Sequence, residues 1–102
     1  TAQFRQKKFM KTKKFCFYDL EPQAPVHVLV IPKEHICCAD AVNEENVGNI
    51  AHIFTKIPEI TKSLGLTNGY RIVNNCGEDG CQSVKHMHFH ILGGKKLNGT
   101  MA

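Results

Sequence analysis

The stretch HMHFHIL, residues 86–92, places a histidine at every second position of an otherwise apolar run. In an extended strand alternate side chains share one face, so the histidines should point one way while Met87, Phe89 and Ile91 point the other. The apolar side chains can then pack into a core beneath a helix. The three imidazoles would line the opposite face, where a ligand can reach them.

Three explanations compete for His86, His88 and His90: a metal site, a catalytic imidazole with its supports, or coincidence. Neutral imidazole is a common zinc ligand. However, three histidines along one strand fan out along its axis, whereas tetrahedral sites usually draw ligands from separate segments. We therefore favour a catalytic row over a metal site, which stays open as an alternative.

The loop NCGEDGCQSVK, residues 75–85, comes directly before the histidines. Its glycines, Gly77 and Gly80, allow successive backbone N–H groups to face an anion, as in a phosphate-binding nest. Ser83 adds a hydroxyl that can donate a proton to a leaving group. A nest beside a row of imidazoles indicates phosphate chemistry.

The remaining pattern predicts an α+β fold with a small antiparallel sheet and one main helix. Strands are expected at residues 15–19, 26–31, 70–75 and 86–92. The helix is expected to begin near Asn43, with Glu44 and Glu45 in its first turn. Its apolar stripe should be Val47, Ile50, Phe54 and Ile57. Pro58 should kink or interrupt it, and Gly65 should cap its end.

Length and composition predict one ordinary globular domain. The chain has 102 residues, of which 42% are hydrophobic and 22% charged. It has no apolar run near the ~20 residues of a membrane span, and no secretory signal pattern. Six of its 13 basic residues precede Asp19. We therefore assign residues 1–14 to a basic segment of uncertain order and residues 15–102 to the domain. Neither nucleic acid nor a membrane is expected as a partner.

Cysteine usage favours a reducing compartment. The chain has five cysteines, an odd number, with no CxxC pair. Such a pattern argues against a disulfide framework. A cytoplasmic location is the simplest expectation.

The motif QSVKHMHFHILGG resembles the histidine-triad motif, H-φ-H-φ-H-φ-φ with φ apolar, of the HIT superfamily. FYDLEPQAPVHVLVIPKEHI and LGLTNGYRIVNNCGEDG are similar in order and spacing to its Hint branch, the histidine-triad nucleotide-binding proteins. The resemblance covers roughly residues 15–95. It implies a HIT-like fold, a homodimer, no cofactor, and binding of a purine nucleoside monophosphate or phosphoramidate.

The resemblance also implies a reaction, hydrolysis of the P–N bond of purine nucleoside phosphoramidates. His88 would attack the α-phosphorus and form a nucleotidyl-imidazole that water then cleaves. Ser83 would pass a proton to the departing amine, and His90 would contact the phosphate. His86 and His35 would orient the nucleophile.

The nucleotide would be held by residues that match positions of the family's binding site. They are Asp19, Leu20, Asn75, Cys81 (through its backbone), Gln82, Ser83, His88 and His90. His27, in phase with Leu29 and Ile31 on its strand, is interpreted as structural.

Three departures from the family pattern matter. Residues 1–15 do not resemble the helix and hairpin that usually precede the FxD strand, so we expect that part of the fold to be missing or rearranged. The C-terminal KKLNGTMA also lacks the family's longer tail. Cys81 occupies a position that is usually glycine, and its Cβ would crowd the phosphate if the backbone has a positive φ. Some bacterial members bind zinc through an N-terminal CxxC and histidines equivalent to His35 and His86. This chain has no CxxC.

Two alternatives to the hydrolase remain open at this point. One is a nucleotide-binding or partner-binding module with impaired turnover. The other is a zinc-binding structural domain.

Overall fold

In the computed structural model, which describes residues 16–102, four short strands form one antiparallel sheet. Its spatial order is β1-β2-β4-β3. The strands are β1 (Cys16–Tyr18), β2 (Val26–Val30), β3 (Arg71–Val73) and β4 (Phe89–Gly93). The predicted class, an antiparallel sheet with one main helix, is confirmed. The predictions about residues 1–14, including the missing or rearranged N-terminal part, lie outside the described residues.

The main helix, α1 (Val47–Ser63), lies in sequence between β2 and β3, after a single 3₁₀ turn at Ala39–Ala41. Strand β4 pairs with both β2 and β3, so the last strand fills the gap that the helical crossover leaves. No helix among residues 16–102 has the length and apolar character needed to cross a membrane.

The start of α1 differs from the prediction. The helix begins at Val47, and Asn43 instead caps the turn before it. The Asn43 side-chain oxygen accepts from the N–H groups of Glu45 and Asn46, at 2.8 and 2.9 Å. Its carbonyl accepts from the Val47 N–H at 2.9 Å. Asn43 therefore accepts the hydrogen bonds that an N-cap accepts, but in the turn that precedes α1.

The buried stripe of α1 is also shifted. Its buried residues are Ile53, Ile57, Ile60 and Thr61. Of the predicted stripe, Val47 is 47% exposed and Phe54 49% exposed. Phe54 still touches the sheet, because its ring meets that of Phe89 edge-on at 5.7 Å.

Pro58 lies inside α1 without interrupting it, so of the expected kink or interruption the interruption is wrong. The isoleucines on either side of Pro58, Ile57 and Ile60, are both buried, and this packing holds the turn together despite the missing donor. Gly65 ends the helix as predicted. Its φ is +75°, and the N–H groups of Gly65 and Leu66 bond to the carbonyls of Lys62 and Thr61, the Schellman pattern.

The apolar face of β4 packs as expected. Met87, Phe89 and Ile91 are buried in one cluster with the isoleucines of α1 and the β2 side chains Val28 and Val30. Burying each such side chain contributes about 1.5–3 kcal/mol. The opposite face of the sheet, which the helix does not cover, therefore carries the histidines of β2 and β4.

The last strand is shorter than predicted, because β4 begins at Phe89 rather than at His86. Its partner β2 ends at Val30, and Pro32 just beyond has no N–H with which to continue the ladder. The Met87 N–H bonds instead to the Ile36 carbonyl at 2.6 Å. Strand alternation therefore does not set the directions of His86 and His88.

Candidate functional site

His88 is buried just before β4 and is fixed by a backbone acceptor. Its Nδ1 lies 2.8 Å from the carbonyl oxygen of His86. Its own carbonyl accepts from the side-chain N–H of Asn74 at 2.9 Å. A carbonyl can only accept, so Nδ1 carries the proton of the neutral ring and Nε2 keeps its lone pair.

His90 stands beside His88 and belongs to a second cluster. The His88 and His90 rings lie 5.1 Å apart. The Nδ1 atom of His90 is 2.8 Å from Nε2 of His27, and that Nε2 is 3.4 Å from Oδ2 of Asp19. The register pairs Leu29 with His90, which makes His27 the diagonal neighbour of His90 on the same face.

Burial keeps the imidazoles of His90 and His27 neutral near pH 7. It lowers the pKa of His90 to about 4, with the neighbouring His88 and His27 acting in the same direction and Asp19 opposing. Burial likewise lowers the pKa of His27, against the opposing charge of Asp19. A neutral ring offers one donor and one acceptor nitrogen, so the hydrogen-bond partners decide its chemistry.

His86 does not join this row. Its ring meets His35 edge-on at 5.0 Å, and its Nε2 lies 3.2 Å from the Pro32 carbonyl. Burial lowers the pKa of His86, while the Pro32 carbonyl opposes the shift. The expected face of three in-phase imidazoles is therefore corrected: His88 and His90 lie together with His27, and His86 pairs with His35. His86 reaches His88 through its backbone carbonyl.

The loop before the histidines is a closed turn rather than an open nest. The N–H groups of Cys81 and Gln82 bond to the carbonyls of Glu78 and Gly77, each at 3.0 Å. The Gly77 N–H bonds to the Gln82 side chain at 3.0 Å. The expected nest of free backbone N–H groups is therefore wrong at Cys81 and Gln82, because turn closure uses those donors. That these two residues bind the nucleotide stays a prediction. Ser83, next in the chain, is exposed.

The Gln82 side chain also ties this loop to a second segment. Its Nε2 donates to the carbonyls of Cys37 and Val84, at 2.7 and 2.9 Å. All five cysteines are free thiols. Cys81 has a φ of +59°, alone among the non-glycine residues of 16–102 in being left-handed, so the condition for crowding by its Cβ is met.

A shallow groove lies over the histidine face of the sheet. Its lining residues come from the loop before β2, from β2, β3 and β4, and from the segment just after β3: Gln23, His27, Val73, Asn75, His90 and Leu92. Asp19 is half-buried next to His27, and Leu20 beside it is 59% exposed. The groove therefore brings together Asn75 and His90, two of the predicted binding residues. A third, Asp19, lies beside His27, which also lines the groove.

Asp19, His27 and His90 also have ligand atoms close enough to surround a metal ion, all within 4.8 Å of one another. His27 is poorly suited as a ligand, however. A metal-bound imidazole needs its other ring nitrogen to donate a proton. In this protein Nδ1 of His27 accepts from the Gln23 backbone N–H at 3.1 Å. The donor set does not fit a metal.

His27 is the site residue that the sequence interpretation missed. Its phase with Leu29 and Ile31 indicates a structural residue, yet it is 4% exposed and bonds to His90. The signal that could have found it is a polar residue in a strand otherwise buried on both faces, since such a group requires a partner.

Comparisons with known proteins agree on one family. The family model described as the HIT domain matches residues 2–97. An uncharacterized HIT-like protein of Rickettsia prowazekii is 47% identical over 87 residues, which are 83% of this chain and 72% of that protein. Among solved structures, a histidine triad protein from Clostridium difficile has a TM-score of 0.85 and 39% identity, covering 97% of this chain and 88% of its own. A HIT family hydrolase from Legionella pneumophila has a TM-score of 0.84 and 34% identity, covering 96% and 89%.

Proposed function

The chain belongs to the HIT domain family, and from that premise we propose that it hydrolyses purine nucleoside phosphoramidates through a nucleotidyl-histidine intermediate. The products would be an amine and a nucleoside monophosphate such as AMP. The solved HIT family hydrolase to which the chain is similar supports the class of reaction. The geometry of His88 supports the mechanism.

The observation that carries the proposal is the hydrogen bond from His88 Nδ1 to the His86 carbonyl, 2.8 Å long. In the neutral ring it leaves Nε2 unprotonated and therefore nucleophilic. Attack of Nε2 on phosphorus forms a P–N bond to the ring as the bond to the amine breaks, and the Ser83 hydroxyl passes its proton to the departing amine. The ring becomes an imidazolium, and its Nδ1–H stays bonded to the carbonyl, which stabilises the new positive charge.

Water completes the cycle. Its oxygen attacks the phosphorus and the P–Nε2 bond breaks, so that the electron pair returns to the ring and His88 is neutral again. The proton that the water loses goes back to Ser83. Two displacements with a good leaving group replace one difficult displacement. The transferred nucleotidyl group is diester-like with a single negative charge, so we propose that a neutral His90 suffices to hold it.

The nucleoside would lie over the groove beside His90. Asp19 offers a carboxylate for the ribose hydroxyls, and Asn75 offers an amide within the groove lining. Leu20, 59% exposed, offers apolar surface to a base. A base packed against the Leu20 side chain would remove apolar surface from water, which favours binding.

The central test compares wild type with His88→Ala on a fluorogenic adenosine phosphoramidate. We expect steady release of amine from wild type and a loss of at least ~10³-fold in His88→Ala, as when a covalent nucleophile is removed. His52→Ala is the matched control, since His52 is an exposed histidine on α1, the helix on the other face of the sheet. Equal rates for wild type and His88→Ala, or none for wild type, would refute the proposal. A wild type that binds AMP without turnover would instead favour a nucleotide-binding module.

The intermediate gives a second, direct test. Mixing enzyme with substrate and quenching into alkaline denaturant preserves an acid-labile P–N bond. Mass spectrometry should find the nucleotidyl group on the peptide that contains His88. A label on His90 instead would reverse the assignment of the two residues.

The role of Ser83 is tested by changing the leaving group. An amine must gain a proton to depart, whereas p-nitrophenolate departs as an anion. Ser83→Ala should therefore slow the phosphoramidate by on the order of 10²-fold and leave the p-nitrophenyl ester of AMP nearly unaffected. Equal losses on both substrates would remove Ser83 from proton transfer.

We further propose that the chain acts as a homodimer. Strand β3, at one edge of the described sheet, offers backbone groups for pairing with a second copy. Light scattering coupled to size-exclusion chromatography checks this, and a monomer at micromolar concentration would contradict it.

A further inference from the structure

We propose that the backbone amide of Gln23 sets the tautomers of the histidine pair His27–His90, so that His90 presents a protonated Nε2 to the groove. His27 is then a positioning residue that acts through His90. Only the use of the His90 Nε2–H group, donation to a phosphate oxygen, rests on the proposed function. The tautomers themselves follow from the hydrogen-bond geometry.

The first step concerns His27. The Gln23 N–H points at Nδ1 of His27 over 3.1 Å. A backbone N–H can only donate, so Nδ1 of His27 must accept and cannot carry a proton. The proton of the neutral ring is therefore on Nε2.

The second step carries this assignment to His90. Nε2 of His27 faces Nδ1 of His90 at 2.8 Å and Oδ2 of Asp19 at 3.4 Å. An ionised carboxylate only accepts, which agrees with a donor at Nε2. With Nε2–H of His27 as the donor, Nδ1 of His90 must accept. The proton of His90 is then on its own Nε2.

The opposite direction of the His27–His90 hydrogen bond creates a conflict at the Gln23 amide. If Nδ1 of His90 donated to His27, the proton of His27 would move to Nδ1 and face the Gln23 N–H, donor against donor. Leaving a buried donor unsatisfied disfavours that state by on the order of tenfold or more. Double protonation is disfavoured too, because burial lowers the pKa of both rings.

The consequence is that two neighbouring histidines hold opposite tautomers. His88 keeps its proton on Nδ1 because that N–H donates to the His86 carbonyl, and its Nε2 carries no proton. His90 keeps its proton on Nε2 because the Gln23 amide, acting through His27, excludes it from Nδ1. One ring can therefore attack phosphorus while the other donates to a phosphate oxygen.

The tautomers can be read without substrate. Two-bond ¹H–¹⁵N correlation spectra of protein labelled with ¹⁵N-histidine identify the protonated nitrogen of each ring. We expect Nε2–H for His27 and His90 and Nδ1–H for His88. A His90 ring protonated on Nδ1 in the wild type overturns the proposal.

The amide itself can be removed. Gln23→Pro deletes the N–H, whereas Gln23→Ala keeps it and truncates the same side chain. Gln23→Pro should give a mixture of His90 tautomers, and Gln23→Ala should retain the wild-type spectrum. Identical spectra for both variants, each shown to be folded by its other signals, would overturn the role of Gln23.

Because a proline can disturb the turn, a second pair of variants tests the relay at His27. His27→Gln can keep an N–H donor toward His90, whereas His27→Leu has none. The Gln variant should preserve Nε2–H on His90, and the Leu variant should lose that preference. On an adenosine phosphoramidate, KM should rise several-fold in His27→Leu and be largely restored in His27→Gln. Equal KM values in the two variants would contradict the relay.

These results separate the two proposals. Expected tautomers in a protein that hydrolyses nothing would uphold the relay and refute the hydrolase. Hydrolysis by a protein whose His90 is protonated on Nδ1 would refute the relay alone.

Discussion

Two turns in this protein have the same hydrogen-bond pattern but differ in the residue at the left-handed position. At Gly65, which ends α1, φ is +75°, and at Cys81, in the loop before β4, φ is +59°. In each turn the left-handed residue donates to the carbonyl three positions earlier and the next residue donates five positions back. Glycine satisfies this geometry without strain, whereas cysteine does not.

Replacing Cys81 by glycine should therefore stabilise the protein. The left-handed conformation costs a residue with a Cβ about 1–2 kcal/mol. About 0.4–1 kcal/mol of this gain is lost, because an unfolded chain with glycine has more conformational entropy and is therefore more stable. The net expected gain in the free energy of unfolding is about 0.5–1 kcal/mol, or about 2–8 °C in Tm for a domain of this size.

The assay is urea and thermal unfolding under reducing conditions, with two matched controls. Cys81→Ala keeps the Cβ and removes only an exposed thiol, so its stability should stay within about 0.5 kcal/mol of wild type. Gly65→Ala is the reciprocal change. No atom lies within 4 Å of a Cβ built at Gly65, so its loss would report backbone strain without a clash.

If Cys81→Ala stabilises the protein as much as Cys81→Gly, the gain comes from removing sulfur and not from relief of backbone strain. A Cys81→Gly variant that is less stable than wild type would also refute strain at Cys81. Gly65→Ala should lose about what Cys81→Gly gains, and a neutral Gly65→Ala would place the strain elsewhere.

Three further predictions concern stability. Gly80→Ala should lose about 1–3 kcal/mol in urea unfolding, because its Cβ would lie 2.6 Å from the Cys76 carbonyl oxygen; a neutral variant would contradict that close approach. Ile91→Ala, fully buried, should lose about 2–5 kcal/mol, whereas half-exposed Val47→Ala should lose much less; similar losses would contradict the core assignment. Because the pKa of His90 is lowered from 6.5 to about 4, the folded state binds fewer protons than the unfolded state between these values, so stability should fall as pH falls from about 6.5 to 4; an unfolding midpoint that stays flat across this window in wild type and His90→Asn alike would contradict it.

The apolar half of the fold was predictable because its signals are local. Alternation in residues 86–92 placed Phe89 and Ile91 in the core, and a single glycine marked the end of α1. The predictions were wrong where contacts between distant parts of the chain determine the structure. The extent of β4 depends on Pro32, more than fifty residues earlier in the chain, since β2 cannot pair beyond it. The buried stripe of α1 depends on how the helix lies on the sheet, and Phe54 reaches Phe89 only from the stripe's edge.

The site divides in the same way. Spacing identified His88 and His90, but His27 lies 63 positions from His90 and was interpreted from its own strand alone. Glycine content predicted a nest of free amides, yet the Gln82 side chain and the carbonyls of Gly77 and Glu78 occupy those donors. Glycine content shows that a loop can form a tight turn. It does not show which acceptors its backbone N–H groups will bond.

The motif itself leaves the two histidines of the site chemically equivalent, because an alternating run treats His88 and His90 alike. Their difference comes from backbone groups that no side-chain pattern encodes. One is a carbonyl two residues from His88, and the other is an amide that reaches His90 only through a second strand. A chain with the same triad, but with proline in place of Gln23, would keep the motif and lose the asymmetry. The proposed difference between a nucleophilic His88 and a donating His90 would thus be a property of the folded sheet, and it should be lost when that single amide is removed.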